Sequence, residues 1–141
     1  MRPVLRQAAL LIALAIVPAL AQALYLRDKV SWNSPVAERD EITVTAAQAL
    51  GERAIWVDAR SEDDFEREHV PGAVLLNEDR WNELLPRMLE NWAPDKTVVV
   101  YCNSKGCGAS REVARRLRTQ AGLSNVFVLK GGWEAWLAQK K

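Results

Sequence analysis

The chain has 141 residues, 49% of them apolar and 26% charged, which fits one globular domain of ordinary size plus an appendage. A formal net charge of +1 provides no electrostatic footprint for nucleic acid. Two cysteines, Cys102 and Cys107, and one histidine, His69, are too few for a disulfide scaffold or a four-ligand zinc site, so neither a metal nor a cofactor is expected.

Residues 1–6 are a basic N-terminus carrying Arg2 and Arg6, and no charged residue follows until Arg27. The stretch 7–26 is twenty residues long, about what a helix needs to cross a bilayer's hydrocarbon core. It is expected to act as an uncleaved transmembrane anchor, with Tyr25 and Trp32 suited to the membrane interface. The alternative is a cleaved signal, cut after Ala19-Leu20-Ala21 or Ala21-Gln22-Ala23. Either way the N-terminus is expected inside and the domain outside the cytoplasm, periplasmic when anchored or secreted after cleavage. Residues 27–40 read as a polar linker broken at Asn33-Ser34-Pro35.

The domain is expected over residues 41–139. Ile42-Thr43-Val44 reads as a short strand, and Thr45 with Gln48 makes a capping-box signature for a brief helix to about Gly51. Ala54–Val57 is an apolar run of strand type ending at Asp58, after which Ser61 and Asp64 open a short acidic helix. Ala73–Leu76 reads as a third buried strand. The spacing of Trp81, Leu84, Leu85, Met88 and Trp92 predicts a helix from about Asp79 to Trp92. Val98–Tyr101, the most β-branched run, is the candidate central strand. A helix over Arg111–Ala121 turns Val113, Ala114 and Leu117 inward and Arg111, Arg115, Arg116 and Arg118 outward, as a solvated face. Val126–Leu129 is the last strand, and Trp133, Trp136 and Leu137 stripe a terminal helix. The six tryptophans read first as core and domain-edge packing. Continuous apolar strands alternating with helices imply an open α/β domain, its parallel sheet covered on both faces. Its site should lie beyond the carboxyl ends of the strands.

Chemistry concentrates just past the Val98–Tyr101 strand. Cys102 is followed by Asn103, Ser104, Lys105, Gly106, Cys107, Gly108 and Ala109, with a helix opening near Ser110. Glycines and polar residues feeding a helix start make a cradle of backbone N–H groups suited to an anion. A thiol placed there should be more ionised than usual and therefore nucleophilic, with Lys105 assisting electrostatically. Cys107, five positions on, is a candidate resolving thiol that could close a disulfide with Cys102.

These residues resemble a known family. Asp58-Ala59-Arg60, Asp64-Phe65 and His69-Val70-Pro71-Gly72-Ala73 are similar to successive motifs of rhodanese domains. So are Val98–Cys102 and the closing segment from Asn125 through Gly131-Gly132 to Trp136, in the family's order and spacing over about residues 42 to 138. The resemblance implies a five-stranded parallel sheet flanked by helices on both faces, preceded here by one hydrophobic helix. It also implies an active-site cysteine loop and sulfur transfer: the cysteine takes a sulfane sulfur from a small donor such as thiosulfate and hands it, as a persulfide, to a thiophilic acceptor. Asp58 and Arg60 are expected to brace the strand-end loops as an ion pair, and His69 to occupy a structural turn. The loop departs from the commoner Cys-x-x-Gly-x-Arg-Ser form. Cys107 stands where the arginine would be and Ser110 comes two positions late, which argues against efficient thiosulfate turnover. Gly108 stands where a Cys-x5-Arg phosphatase loop would need its arginine. Two other readings stay open: a dithiol redox protein using Cys102 and Cys107, and a non-catalytic sulfur-carrying or protein-binding module serving a membrane protein.

Overall fold

The computed structural model describes residue 7, residues 40–103 and residues 108–140. All but the first belong to one compact unit. Strand β1 is Glu41–Ile42, followed by helix α1 (Val44–Ala49), a 3-10 turn at Gly51–Arg53 and β2 (Ala54–Asp58). Helix α2 (Glu62–Arg67), β3 (Val74–Leu75), α3 (Trp81–Glu90) and β4 (Thr97–Tyr101) come next, then α4 (Gly108–Thr119), β5 (Val126–Leu129) and α5 (Gly132–Gln139). The five strands form one sheet in the order β1-β5-β4-β2-β3, and every pairing is parallel.

The period-two geometry of β4 divides the core between the two faces. Val98 and Val100 point to one side, packing with Ile55, Val57, Val126 and Val128 beneath Trp81, Leu84 and Met88 of α3 and Val113, Ala114 and Leu117 of α4. Val99 and Tyr101 point to the other, among Val44 and Ala47 of α1, Val70, Ala73, Leu129 and Trp133 of α5. All four residues Val98–Tyr101 are fully buried, and each valine so placed contributes about 1.5–3 kcal/mol of apolar transfer energy. Central position and double-sided burial explain why this run is the most β-branched of the chain.

Several boundaries differ from those the sequence suggests. The first strand stops at Ile42 because Thr43 is the N-cap of α1: its hydroxyl accepts from the Ala46 N–H at 3.3 Å. Thr45 therefore lies inside the helix, where its hydroxyl accepts from Gln139 at 3.0 Å. The third strand has only two residues, since the Ala73 N–H is taken by the Val70 carbonyl in a turn. Helix α3 starts at Trp81, after Asn77 Oδ1 accepts from the Arg80 N–H at 3.0 Å. Helix α4 starts at Gly108, earlier than the apolar stripe indicates. Ser61 caps α2 by accepting from the Asp64 N–H at 3.3 Å.

The arginines of α4 are not a merely solvated face. Arg116 lies 4.1 Å over the Trp81 ring, Arg118 donates to the Val126 carbonyl and pairs with Asp40, and Arg111 reaches Glu41 at 3.5 Å. Long side chains lie along the surface while their heads find acceptors at strand ends. Only Arg115 is exposed, and it pairs with Glu112 one turn away. Residues 8–26 of the hydrophobic stretch and 27–39 of the linker lie outside the described residues. Among the described residues no helix is long and apolar enough to cross a membrane.

Candidate functional site

The site sits at the carboxyl end of β4, the central strand. Cys102 follows that strand directly and is 2% exposed. Its Sγ lies 3.1 Å from Ser110 Oγ, in the first turn of α4, and Ser110 is itself buried. The sulfur therefore faces a helix start, where backbone partial charge is positive. Cys102 is disulfide-bonded. Ser104, Lys105, Gly106 and Cys107 lie outside the described residues. Of the remaining loop residues, Asn103 and Gly108 are exposed and Ala109 is half-buried.

The cysteine's backbone is clamped by α5. Gly131 and Gly132, both at positive φ (82° and 58°), turn the chain so that the first N–H groups of α5 point at the loop. The Trp133 N–H donates to the Cys102 carbonyl at 2.7 Å, and the Glu134 N–H to the Asn103 carbonyl at 3.3 Å. Donors that a helix start leaves without intrahelical partners are thus used up by backbone carbonyls. A Cβ at Gly132 would lie 2.3 Å from the Cys102 carbonyl oxygen, so only glycine fits.

At the ends of β2 and β4, where Asp58 pairs with Tyr101, lies a buried polar layer. Arg60 and Asp58 form a two-pronged ion pair with contacts of 2.6 to 3.1 Å, their side chains 4% and 0% exposed. Arg60 also donates to the Glu68 carbonyl at 2.6 Å and stacks over the rings of Trp133 (4.4 Å) and Tyr101 (5.6 Å). Burial by itself would weaken the hold on the Arg60 proton, but the Asp58 hydrogen bond and charge outweigh it, and its pKa is raised. For Tyr101, whose hydroxyl accepts from the Val70 N–H at 3.1 Å, burial acts in the opposite sense and is itself what raises the pKa. Asp64 goes the other way: hydrogen bonds from Asn103 and Ser61 and the charges of Arg67 and Arg60 overcome desolvation and hold its carboxyl below the usual carboxylate range. Asn103, next to the cysteine, is thereby tied to α2.

His69 is placed away from any chemistry, its Nδ1 2.8 Å from the Phe65 carbonyl and its ring stacked on Phe65 at 4.0 Å. Trp133 is buried at the site, while Trp136 packs edge-on against Trp56. Among the described residues no group of three or more His, Cys, Asp or Glu side chains could hold a metal ion.

Sequence reasoning missed three residues here. Asn77 stitches two strand-end loops, donating to the Arg60 carbonyl at 3.3 Å while accepting from Arg80. Tyr101 read as core only, and Gly132 as part of a motif rather than as the residue whose missing Cβ admits the Cys102 carbonyl. The adjacent pair Gly131-Gly132 before a tryptophan-striped helix was the available signal for such a close approach.

The rhodanese-like domain family model matches residues 43–139. The chain is 32% identical over 102 residues to the thiosulfate sulfurtransferase GlpE of Pseudomonas syringae pv. syringae (strain B728a), covering 72% of this chain and 90% of that protein. Among solved structures, BH2092 from Bacillus halodurans superposes with a TM-score of 0.61 at 21% identity, over 87% of this chain and 82% of that one, a likeness of fold. A thiosulfate sulfurtransferase from Pseudomonas aeruginosa gives 0.58 at 27% identity, over 72% of this chain and 18% of that one. With a model matching from just after β1 to the last residue of α5, and the cysteine at the end of the central strand, this chain belongs to the rhodanese-like domain family.

Proposed function

We propose that the chain is a sulfurtransferase that carries sulfane sulfur as a persulfide on Cys102. The observation that carries this reading is the position of the cysteine. It directly follows the central strand, its sulfur against Ser110 in the first turn of α4, in a chain that is 32% identical to proteins named thiosulfate sulfurtransferase. Once reduced, the Cys102 thiolate attacks the outer sulfur of a donor; with thiosulfate, the S–S bond breaks and sulfite leaves with its electron pair. The new persulfide is then attacked at its outer sulfur by a nucleophile such as cyanide or a thiolate, which departs with that sulfur and restores the Cys102 thiolate. The helix start and the Ser110 hydroxyl favour the anionic sulfur in both states. The test is to reduce the protein, add thiosulfate, and follow sulfite and thiocyanate release with cyanide as acceptor. Turnover that disappears in Cys102→Ser supports the reading, and turnover that survives sinks it. A folded Cys102→Ser protein that keeps its cellular role would instead favour a non-catalytic module.

A second reading, dithiol chemistry, is favoured by the disulfide on Cys102 in a chain whose only other cysteine is Cys107. Here a Cys107 thiolate attacks the Cys102 sulfur of the persulfide, hydrosulfide leaves, and an external dithiol must reduce the resulting disulfide before the next cycle. Hydrosulfide released from the loaded wild type but not from loaded Cys107→Ala would establish it. The twenty residues 7–26, with no charged side chain among them, support a membrane anchor, and the extracytoplasmic placement of the domain follows from short N-terminal signals leaving the N-terminus inside. Recovery in the membrane fraction after alkaline wash tests this, and a soluble form starting near Gln22 or Leu24 would show a cleaved signal.

A further inference from the structure

Helix α2 is six residues long and is fastened at two points to the surroundings of the cysteine. Just past its last turn the Glu68 carbonyl accepts from the Arg60 guanidinium at 2.6 Å, so the helix stands on the buried Asp58–Arg60 ion pair. Asp64 lies one turn back, its own carbonyl accepting from the Glu68 N–H at 3.3 Å. Its carboxylate, 26% exposed, accepts a hydrogen bond from the side chain of Asn103, the residue after Cys102. No step of the sulfur chemistry uses this contact.

The segment Cys102–Asn103 is held from three elements. Helix α5 takes its backbone: the Trp133 N–H binds the Cys102 carbonyl at 2.7 Å and the Glu134 N–H the Asn103 carbonyl at 3.3 Å. Helix α4 takes the sulfur, through Ser110 Oγ at 3.1 Å. Two bonds from adjacent N–H groups of one helix act as a hinge, about which the segment can still turn. A grip on the Asn103 side chain from α2, a different element, stops that rotation. The charge of Asp64 does nothing for the sulfur, since a carboxylate opposes ionisation of a neighbouring thiol. What Asp64 offers is an acceptor at a fixed place.

We propose that Asp64 is a positioning residue for sulfur transfer: by holding the Asn103 side chain, it keeps the Cys102 sulfur turned toward Ser110 and the start of α4. The proposal rests on the sulfur-transfer reading for its reaction. Asp64 acts only through Asn103, so the two residues form one unit, and removing either should remove the same contribution. The other side-chain partner on α2, Arg67, is 73% exposed and pairs with the same carboxylate at 2.8 Å; it has no part in the grip.

The experiment uses the reduced full-length chain with thiosulfate as donor and cyanide as acceptor, reading kcat/KM for thiosulfate. Asp64→Ala and Asn103→Ala should each lose about tenfold, the weight of one hydrogen bond to a charged group. The double variant should lose no more than either alone. Asp64→Asn keeps an acceptor without the charge and should stay within about threefold of wild type, and Arg67→Ala should be unchanged. Equal losses in Asp64→Ala and Asp64→Asn, losses that multiply in the double variant, or a wild-type value in Asn103→Ala would overturn the proposal. Asn103 is exposed, so its variant carries the test should Asp64→Ala fail to fold. In parallel, the Asn103 side-chain amide resonances of the isotope-labelled reduced protein are identified by their absence in Asn103→Ala. They should shift further in Asp64→Ala than in Asp64→Asn. If the wild type turns over no sulfur while the amide responds in this way, the sulfur-transfer reading fails and the Asp64–Asn103 link stands. An amide indifferent to Asp64→Ala removes the link itself.

Discussion

Replacing Gly132 by alanine isolates the contact on which the cysteine's placement depends. Two costs arise. A residue with a Cβ at φ +58° loses about 1 kcal/mol relative to glycine. The new Cβ also meets the Cys102 carbonyl oxygen at 2.3 Å and must open by about 0.7 Å to reach even 3.0 Å. The atom it meets is backbone, held by the 2.7 Å bond from Trp133, so the shift costs that bond, about 1 kcal/mol, and about 1–3 kcal/mol of overpacking. The expected loss is about 3–5 kcal/mol by urea denaturation of the reduced protein. Gly72→Ala is the control: it stands at φ +77° with nothing within 4 Å of an added methyl, so it carries the conformational cost alone. The gain from a stiffer unfolded chain is the same in both and cancels. If the two variants lose equal stability, the clamp between α5 and the cysteine loop is not what the 2.3 Å contact indicates.

Asp58→Asn leaves the Arg60 guanidinium, 4% exposed, without its counter-charge and should cost about 3–5 kcal/mol of stability; a loss under about 1 kcal/mol would show that Arg60 reaches solvent instead. Ser110→Ala removes the hydroxyl 3.1 Å from the sulfur and should slow alkylation of reduced Cys102 at neutral pH on the order of fivefold, with Ser110→Thr restoring it; an unchanged rate would remove Ser110 from the chemistry. Tyr101 governs alkaline stability. Its folded-state pKa is raised, so above about pH 10, the ordinary phenol value, the unfolded chain loses a proton that the folded one keeps, and stability falls as pH rises. Tyr101→Phe should flatten the profile above that pH while costing about 1 kcal/mol at neutrality for the Val70 hydrogen bond; an unaltered slope would place the alkaline transition elsewhere.

What was legible in the sequence was whatever local pattern determines. The Val98–Tyr101 run announced a strand buried on both sides because two layers of helices require apolar residues at every position. Ser61 and Asp64 announced their helix because an N-cap is a local hydrogen bond. Thr43 and Thr45 are two residues of one type a short step apart, and which one caps is settled by where β1 stops pairing with β5. The arginines of α4 read as solvated because periodicity reports what faces the core and not what a long side chain reaches from the rim, such as Trp81 or the Val126 carbonyl. At the site, Cys102 was visible from its place after a strand and before glycines. The Asn77 stitch and the Gly132 approach were not, because they join segments 17 and 30 residues from their partners, a distance over which no local rule operates.

The most direct test of the central claim is the mass of the reduced, intact protein after brief exposure to a sulfane-sulfur donor, with the modified peptide located. Gain of one sulfur atom on the peptide containing Cys102, lost on adding cyanide and absent from Cys102→Ser, is the predicted result. Sulfur found on Cys107 with Cys102 unmodified, or no uptake from any sulfane donor by a folded and fully reduced protein, would contradict the account.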